Sequence, residues 1–232
     1  MLKIENITAG YGTAKVLHGA SFTVAPGQVA CLLGRNGAGK TTTLKCIMGL
    51  LSLTSGEIKL EEQAINGMPS YRIARRGIGY VPEQRLIFPD LTVSENLSIG
   101  LWRGQRGAKQ AIDRVLTLFP RLTEKWTTKG GSLSGGEQQM LSIGRALMPD
   151  PLYLVVDEPT EGLAPVIVKT LENGLKTLSR QGVAVLVVES KLDVARHIAD
   201  VIYVVGKGRI EFSGDMGELD ARPDIRREYL EV

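Results

Sequence analysis

One octapeptide narrows the possible folds of this chain more than any other feature. Gly34-Arg35-Asn36-Gly37-Ala38-Gly39-Lys40-Thr41 follows an apolar run at 29–33 and precedes a stretch with helical spacing. It matches G-x-x-x-x-G-K-[ST] in full. Glycines at these places let backbone N–H groups close around phosphate oxygens. A helix starting near Lys40 adds the positive end of its dipole. In this reading Lys40 reaches the β- and γ-phosphates and the Thr41 hydroxyl holds Mg²⁺. Asn36, Gly37, Ala38, Gly39 and Thr42 complete the cradle. A Gly-rich turn without a ligand is the competing reading, but such a turn has no use for Lys followed by Thr at that point.

The spacing of apolar residues supplies the frame. Leu2, Ile4 and Ile7 alternate with Lys3, Glu5 and Asn6, and Phe22 and Val24 continue as short strands. Beyond Lys40 the period changes: Leu44, Ile47, Met48 and Leu51 fall on one helical face. A turn at 54–56 leads to a strand at 57–60. Residues from about 89 to 149 read as helical, with Thr92-Val93-Ser94-Glu95 as a capping box and Ala111, Val115, Leu118 and Phe119 marking a second helix. The Gly- and basic-rich stretch 104–109 reads as an exposed connection. Strand signals return at 153–156 and 183–188, separated by a helix that Pro165 opens and that carries Val168, Leu171, Leu175 and Leu178. A short helix, a strand at 201–205 and a hairpin to 210–212 close the pattern. Continuous apolar strands alternating with helices imply a parallel sheet covered on both faces, with 89–149 as an inserted helical lobe.

Composition excludes some classes. The 232 residues fit one domain with an inserted lobe, and 43% hydrophobic with 23% charged is ordinary globular chemistry. A net charge of +3 is too small to argue for a nucleic-acid partner, and none is expected. Cys31 and Cys46 read as two buried thiols rather than a disulfide. No stretch approaches the roughly 20 apolar residues of a membrane span, and the N-terminus has no apolar signal core. A soluble chain is the expectation, with any membrane role exercised through a partner.

The run at 152–156 ends in Asp157-Glu158-Pro159. Carboxylates at the C-terminal end of a central parallel strand sit where α/β ligands bind. Asp157 is expected to hold Mg²⁺, and Glu158 to polarise the attacking water as general base. Leu133-Ser134-Gly135-Gly136-Glu137-Gln138 opens a further helix. Ser134 and Glu137 form a capping box in the simplest reading. Gly135 and Gly136 then fill the first helical positions, where glycine costs about 0.5–1 kcal/mol against alanine. That points to exposed N–H groups and a second anion site.

This order of motifs, a phosphate loop, L-S-G-G-E-Q in a helical insert and an apolar strand ending in D-E-P, resembles the ABC ATPases over essentially the whole chain. The resemblance implies an α/β P-loop NTPase (RecA-like) core at about 1–88 and 150–232 with a small antiparallel β subdomain, and a helical signature lobe at about 89–149. It implies a head-to-tail dimer with itself or a homologous ATPase subunit around two ATP molecules. Ser134 and Gly136, with Gly135 and Glu137 beside them, would meet the nucleotide held by the other subunit. Tyr11 is placed like the aromatic that stacks on adenine, and Val16 beside it. Transmembrane permease subunits, indirectly a substrate-binding protein, and a place on the inner face of the cell membrane follow from the same likeness.

Three positions depart from the family pattern. The glutamine that senses Mg²⁺ and water falls on Glu83 or Gln84. The aspartate after D-E-P is replaced by Ala164. The histidine that meets the γ-phosphate is replaced by Ser190, which donates one hydrogen bond but carries no charge. His197, further along a helix, reads as a packing or surface residue, and Arg72, Arg75 and Arg76 as a solvated group. With Glu-Gly-Leu-Ala-Pro, these features resemble ATPases of branched-chain amino acid uptake, and urea and short-chain amide importers look similar. Ser190 and Ala164 keep open a rival role, a switch that binds ATP and dimerises with little hydrolysis.

Overall fold

The computed structural model describes residues 1–102 and 107–231. Its first elements are β1 (Leu2–Tyr11), β2 (Ala14–Val24), β3 (Val29–Leu33), α1 (Lys40–Ile47), β4 (Ser55–Leu60), β5 (Gln63–Ala64), α2 (Ser70–Arg75) and β6 (Ile78–Val81). Helices α3 (Val93–Ile99), α4 (Ala108–Leu118), α5 (Arg121–Glu124) and α6 (Gly135–Leu147) follow. The chain then runs through β7 (Tyr153–Asp157), α7 (Pro165–Arg180), β8 (Ala184–Glu189), α8 (Leu192–Ile198), β9 (Val201–Gly206), β10 (Arg209–Gly214), α9 (Met216–Asp220) and α10 (Pro223–Tyr229).

Six strands form the central sheet in the order β10-β9-β3-β8-β7-β6. All its pairings are parallel except β10 on β9. Strands β3, β7 and β8 are buried along their whole length. Alternate side chains of a strand point to opposite faces, and they feed two apolar clusters. Val29, Cys31, Leu33, Leu154, Val156, Val185 and Val187 pack with helical residues such as Phe119, Leu141 and Leu175. Ala30, Leu32, Val155, Leu186 and Val188 pack with Ile4, Leu17, Leu44 and Ile58. Burial on both faces is why these strands read as continuous apolar runs. The antiparallel sheet β2-β1-β4-β5 covers the second face.

Two local expectations change. Helix α1 stops at Ile47 because Gly49 takes a left-handed φ of 65°. A Cβ there would collide with the Met68 carbonyl oxygen, so only glycine fits. Leu51 therefore leaves the helical face that its spacing predicts. The alternation in β1 slips at Asn6 (φ 50°), a bulge that puts Leu2 and Ile4, then Ile7 and Ala9, on the buried side.

The capping box at Thr92 and Glu95 is present. A further one, Asp215 with Glu218, opens α9. Both cysteines are buried free thiols. Of the expected connection at 104–109, residues 104–106 lie outside the described residues. Among the described residues no helix is long and apolar enough to cross a membrane.

Candidate active site

The loop from β3 into α1 ends on Gly39, whose φ of 109° and lack of a side chain leave the first N–H groups of α1 uncapped. The Lys40 side chain is 4% exposed. Its ammonium donates to Gly34 O at 2.8 Å and Arg35 O at 3.3 Å, and it pairs with Glu158 Oε1 at 3.2 Å. On the next residue, Thr41 Oγ1 donates to Asp157 Oδ1 at 3.3 Å. Asp157 Oδ2 is buried and has no hydrogen-bond partner among the described residues.

Burial pushes the Asp157 carboxyl up to about 6 from its ordinary 3.8. The Thr41 hydrogen bond opposes the rise, the Glu158 and Glu83 carboxylates add to it, and Lys40 opposes it. Tyr80 on β6 is pushed up to about 12, first by burial and then by Asp157 and Glu83. A buried acid with one oxygen unpaired, beside a threonine hydroxyl, is the donor chemistry that Mg²⁺ takes, and the helix N-terminus next to it suits phosphate. The residues present fit such an ion.

Lys40, Thr41 and Glu158 open onto a cleft of about 400 Å³ lined also by Val16, Asn36, Gly37, Gly39, Thr42, Glu83 and Glu161, with Asp157 buried behind it. Glu83 faces it, whereas Gln84 is not among the described lining residues. Ala38 is buried in the loop behind. Glu161, the first residue of Glu-Gly-Leu-Ala-Pro, also lines the cleft, a place that its motif did not assign to it. Its signal was its place in the loop just after Asp157 and Glu158. Glu158 itself has φ 42°, a left-handed conformation that a non-glycine residue rarely holds, and its N–H donates to Val188 O at 2.9 Å.

Other expected residues, the signature at 134–137 among them, do not line the cleft. Tyr11 is 48% exposed at the end of β1, with the Lys45 ammonium 5.6 Å from its ring centroid. Ser190 is half-buried just past β8, and its N–H donates to Glu189 Oε2 at 3.2 Å. Ser134 and Glu137 form the capping box: Glu137 N donates to Ser134 Oγ at 3.3 Å, and Ser134 N to Glu137 Oε2 at 2.8 Å.

The two signature glycines have a packing reason as well. A Cβ on Gly136 would lie 2.7 Å from Ile167 Cγ2, and one on Gly135 would lie 3.1 Å from an Arg85 guanidinium nitrogen. His197 meets Glu172 at 3.4 Å on the outer side of α7. Arg72, Arg75 and Arg76 are exposed, Arg75 lying over the Tyr71 and Trp102 rings.

A phosphate loop facing an acid pair across the C-terminal ends of parallel strands defines the class, a P-loop nucleoside triphosphatase. Residues 17–161 match the ABC transporter family. The branched-chain amino acid transport ATP-binding protein BraG of Pseudomonas aeruginosa is 42% identical over 231 residues, covering 99% of each chain. The probable branched-chain amino acid transport ATP-binding protein LivF of Archaeoglobus fulgidus is 34% identical over 94% of each. The lipopolysaccharide export ATP-binding protein LptB of Escherichia coli is 32% identical over 99% of this chain and 96% of its own. Among solved structures, the ADP-bound cassette MJ1267 superposes with a TM-score of 0.85 at 29% identity over 98% of each chain. A dimeric cassette, MJ0796, does so with 0.83 at 28% identity over 93% of this chain and 99% of its own. This chain belongs to the ABC transporter family of ATP-binding proteins and is an ATPase.

Proposed function

We propose that this chain is the motor subunit of an importer of branched-chain amino acids, and that it works as a head-to-tail dimer beneath separate membrane subunits. The observation that carries the cargo assignment is the 42% identity to BraG along the full length of both chains. The 32% identity to LptB shows that the ATPase frame also serves an exporter, so the cargo is tested separately. The dimeric cassette MJ0796 supports the pairing.

In this reading ATP lies in the cleft with its phosphates against the N–H groups of 34–42. Lys40 turns from Glu158 and the loop carbonyls to the phosphates. Thr41 and Asp157 would hold Mg²⁺, which would supply neutralisation of phosphate charge. Glu83, which lines the same cleft, would be the glutamine's stand-in toward that ion. Glu158, freed from Lys40, takes the proton of the attacking water. Ser190 donates a single uncharged hydrogen bond toward the γ-phosphate. Ser134, Gly135, Gly136 and Glu137 of one subunit close on the nucleotide of the other, and Tyr11 with Val16 borders the adenine. Hydrolysis removes the contacts that join the subunits, and the clamp opens.

The helical lobe at about 89–149 carries that change to the membrane. Leu86, Phe88, Ile99 and Trp102 are exposed around a groove with Tyr80, Ser142 and Arg145, a surface suited to an apolar segment of a permease. Tyr80 pairs with Val155 on β7, the strand that ends in Asp157, which brings the groove toward the acid pair. Uptake of labelled leucine, isoleucine, valine and urea by cells with and without the intact chain tests the cargo. Loss of the three amino acids with urea unaffected is expected. Loss of urea uptake alone would overturn the assignment.

A further inference from the structure

One buried acid has no part in the scheme above. Glu189 ends β8, is 1% exposed and has both carboxylate oxygens occupied. Oε1 accepts the Thr160 hydroxyl at 2.6 Å and the Thr160 N–H at 3.2 Å. Oε2 accepts the N–H groups of Ser190 at 3.2 Å and Lys191 at 3.4 Å. The Lys191 ammonium donates to Thr160 O at 3.2 Å, closing the ring. Thr160 is itself 1% exposed.

This ring anchors the Thr160 end of the loop that carries Glu158. The Glu158 N–H is tied to Val188 O, one residue before Glu189, and Thr160 is tied to Glu189 itself. Between those ties Glu158 holds φ 42°. A left-handed non-glycine residue persists only where its surroundings over-determine it. The chemistry also asks for a carboxylate. All four groups that face it are donors, and an amide in its place would turn N–H toward N–H on one side. Burial raises the Glu189 pKa, and the donors on Thr160, Ser190 and Lys191 pull it back. Leucine or valine would complete β8 at less cost, as Val185 to Val188 do.

We infer that Glu189 is a positioning residue: through Thr160 it holds the Glu158 loop in its left-handed geometry, and through the Ser190 and Lys191 amides it fixes the loop beside it. The inference rests on the reading of Glu158 as general base. Misplacing a base by about 1 Å can cost about a hundredfold in rate without touching substrate affinity, which separates positioning from binding.

The test uses the full chain with Glu189→Gln, Thr160→Val, Thr160→Ser, the Glu189→Gln/Thr160→Val double variant, and Glu158→Gln as reference. Steady-state hydrolysis and titration with a fluorescent ATP analogue give kcat, KM and Kd. Hydrogen exchange of the peptide at 156–163 is followed beside that at 34–41. Glu189→Gln and Thr160→Val are each expected to lower kcat by about tenfold or more with KM within about twofold. The double variant should be no worse than the poorer single, because both break one contact. Thr160→Ser, which keeps the hydroxyl, should retain the parent rate. Exchange should quicken at 156–163 and not at 34–41. Unchanged kcat, a rise in KM alone, additive losses or unchanged exchange would each overturn the inference. If Glu158→Gln still hydrolyses ATP, the base assignment fails, and the exchange data still decide whether Glu189 holds the loop.

Discussion

Lys40 Nζ and Glu158 Oε1 lie 3.2 Å apart, so an ion pair joins the phosphate loop to the acid pair across the cleft. An ammonium has three donors, and here they meet Gly34 O, Arg35 O and Glu158. An incoming phosphate competes for Lys40 with groups of the protein itself. Glu158→Gln weakens that competition and removes a negative charge facing the γ-phosphate. It should tighten ATP binding by about tenfold, the scale of one charge-assisted contact. Lys40→Ala should weaken binding by about a hundredfold. Titration with a fluorescent ATP analogue checks both, and weaker binding by Glu158→Gln would count against the pair as a competitor.

The Asp157 carboxyl makes nucleotide-free stability depend on pH. Its folded pKa is raised from 3.8 to about 6. Between those values the native state binds more protons than the unfolded chain, so this group makes stability fall as pH rises through the window. Asp157→Asn should therefore stabilise the nucleotide-free chain at pH 7 by about 1–2 kcal/mol. The gain should shrink as pH falls and vanish near pH 3, below both pKa values, where Asp157 is protonated in both states. Urea unfolding at the two pH values reads this, and equal stability of variant and parent at pH 7 would refute it.

Gly136 separates packing from phosphate contact. Its missing Cβ leaves room for Ile167 Cγ2, which would otherwise lie at 2.7 Å. Gly136→Ala should cost about 1–3 kcal/mol by overpacking, and Ile167→Ala in the same chain should recover most of it. Thermal melts of the nucleotide-free protein decide. A loss that Ile167→Ala does not relieve would remove the packing explanation.

What could be read from the sequence follows the range of each interaction. The loop at 34–41, the acid pair and the caps at Thr92 and Ser134 are complete within eight residues, so their spacing carries their geometry. The parallel sheet was legible for a related reason: burial on both faces writes apolar runs into β3, β7 and β8. Contacts across the fold leave no local trace. Nothing near Gly136 announces Ile167, and nothing in the strand signal at 183–188 announces that Glu189 turns inward onto Thr160. Leu51 kept the helical period while Gly49 ended the helix, because the Met68 carbonyl that bars a side chain there lies far along the chain.

The central claim is that Glu158 drives hydrolysis without a histidine at position 190. Mg²⁺-dependent ATP turnover by the full chain, beside its Glu158→Gln variant, tests it most directly. The account predicts that the parent turns over, that chelating Mg²⁺ stops it, and that Glu158→Gln binds ATP while losing at least about a hundredfold in kcat, the scale of general-base catalysis. A parent that binds ATP but turns over no faster than Glu158→Gln would contradict the account and return Ser190 and Ala164 to the reading of a nucleotide-driven switch.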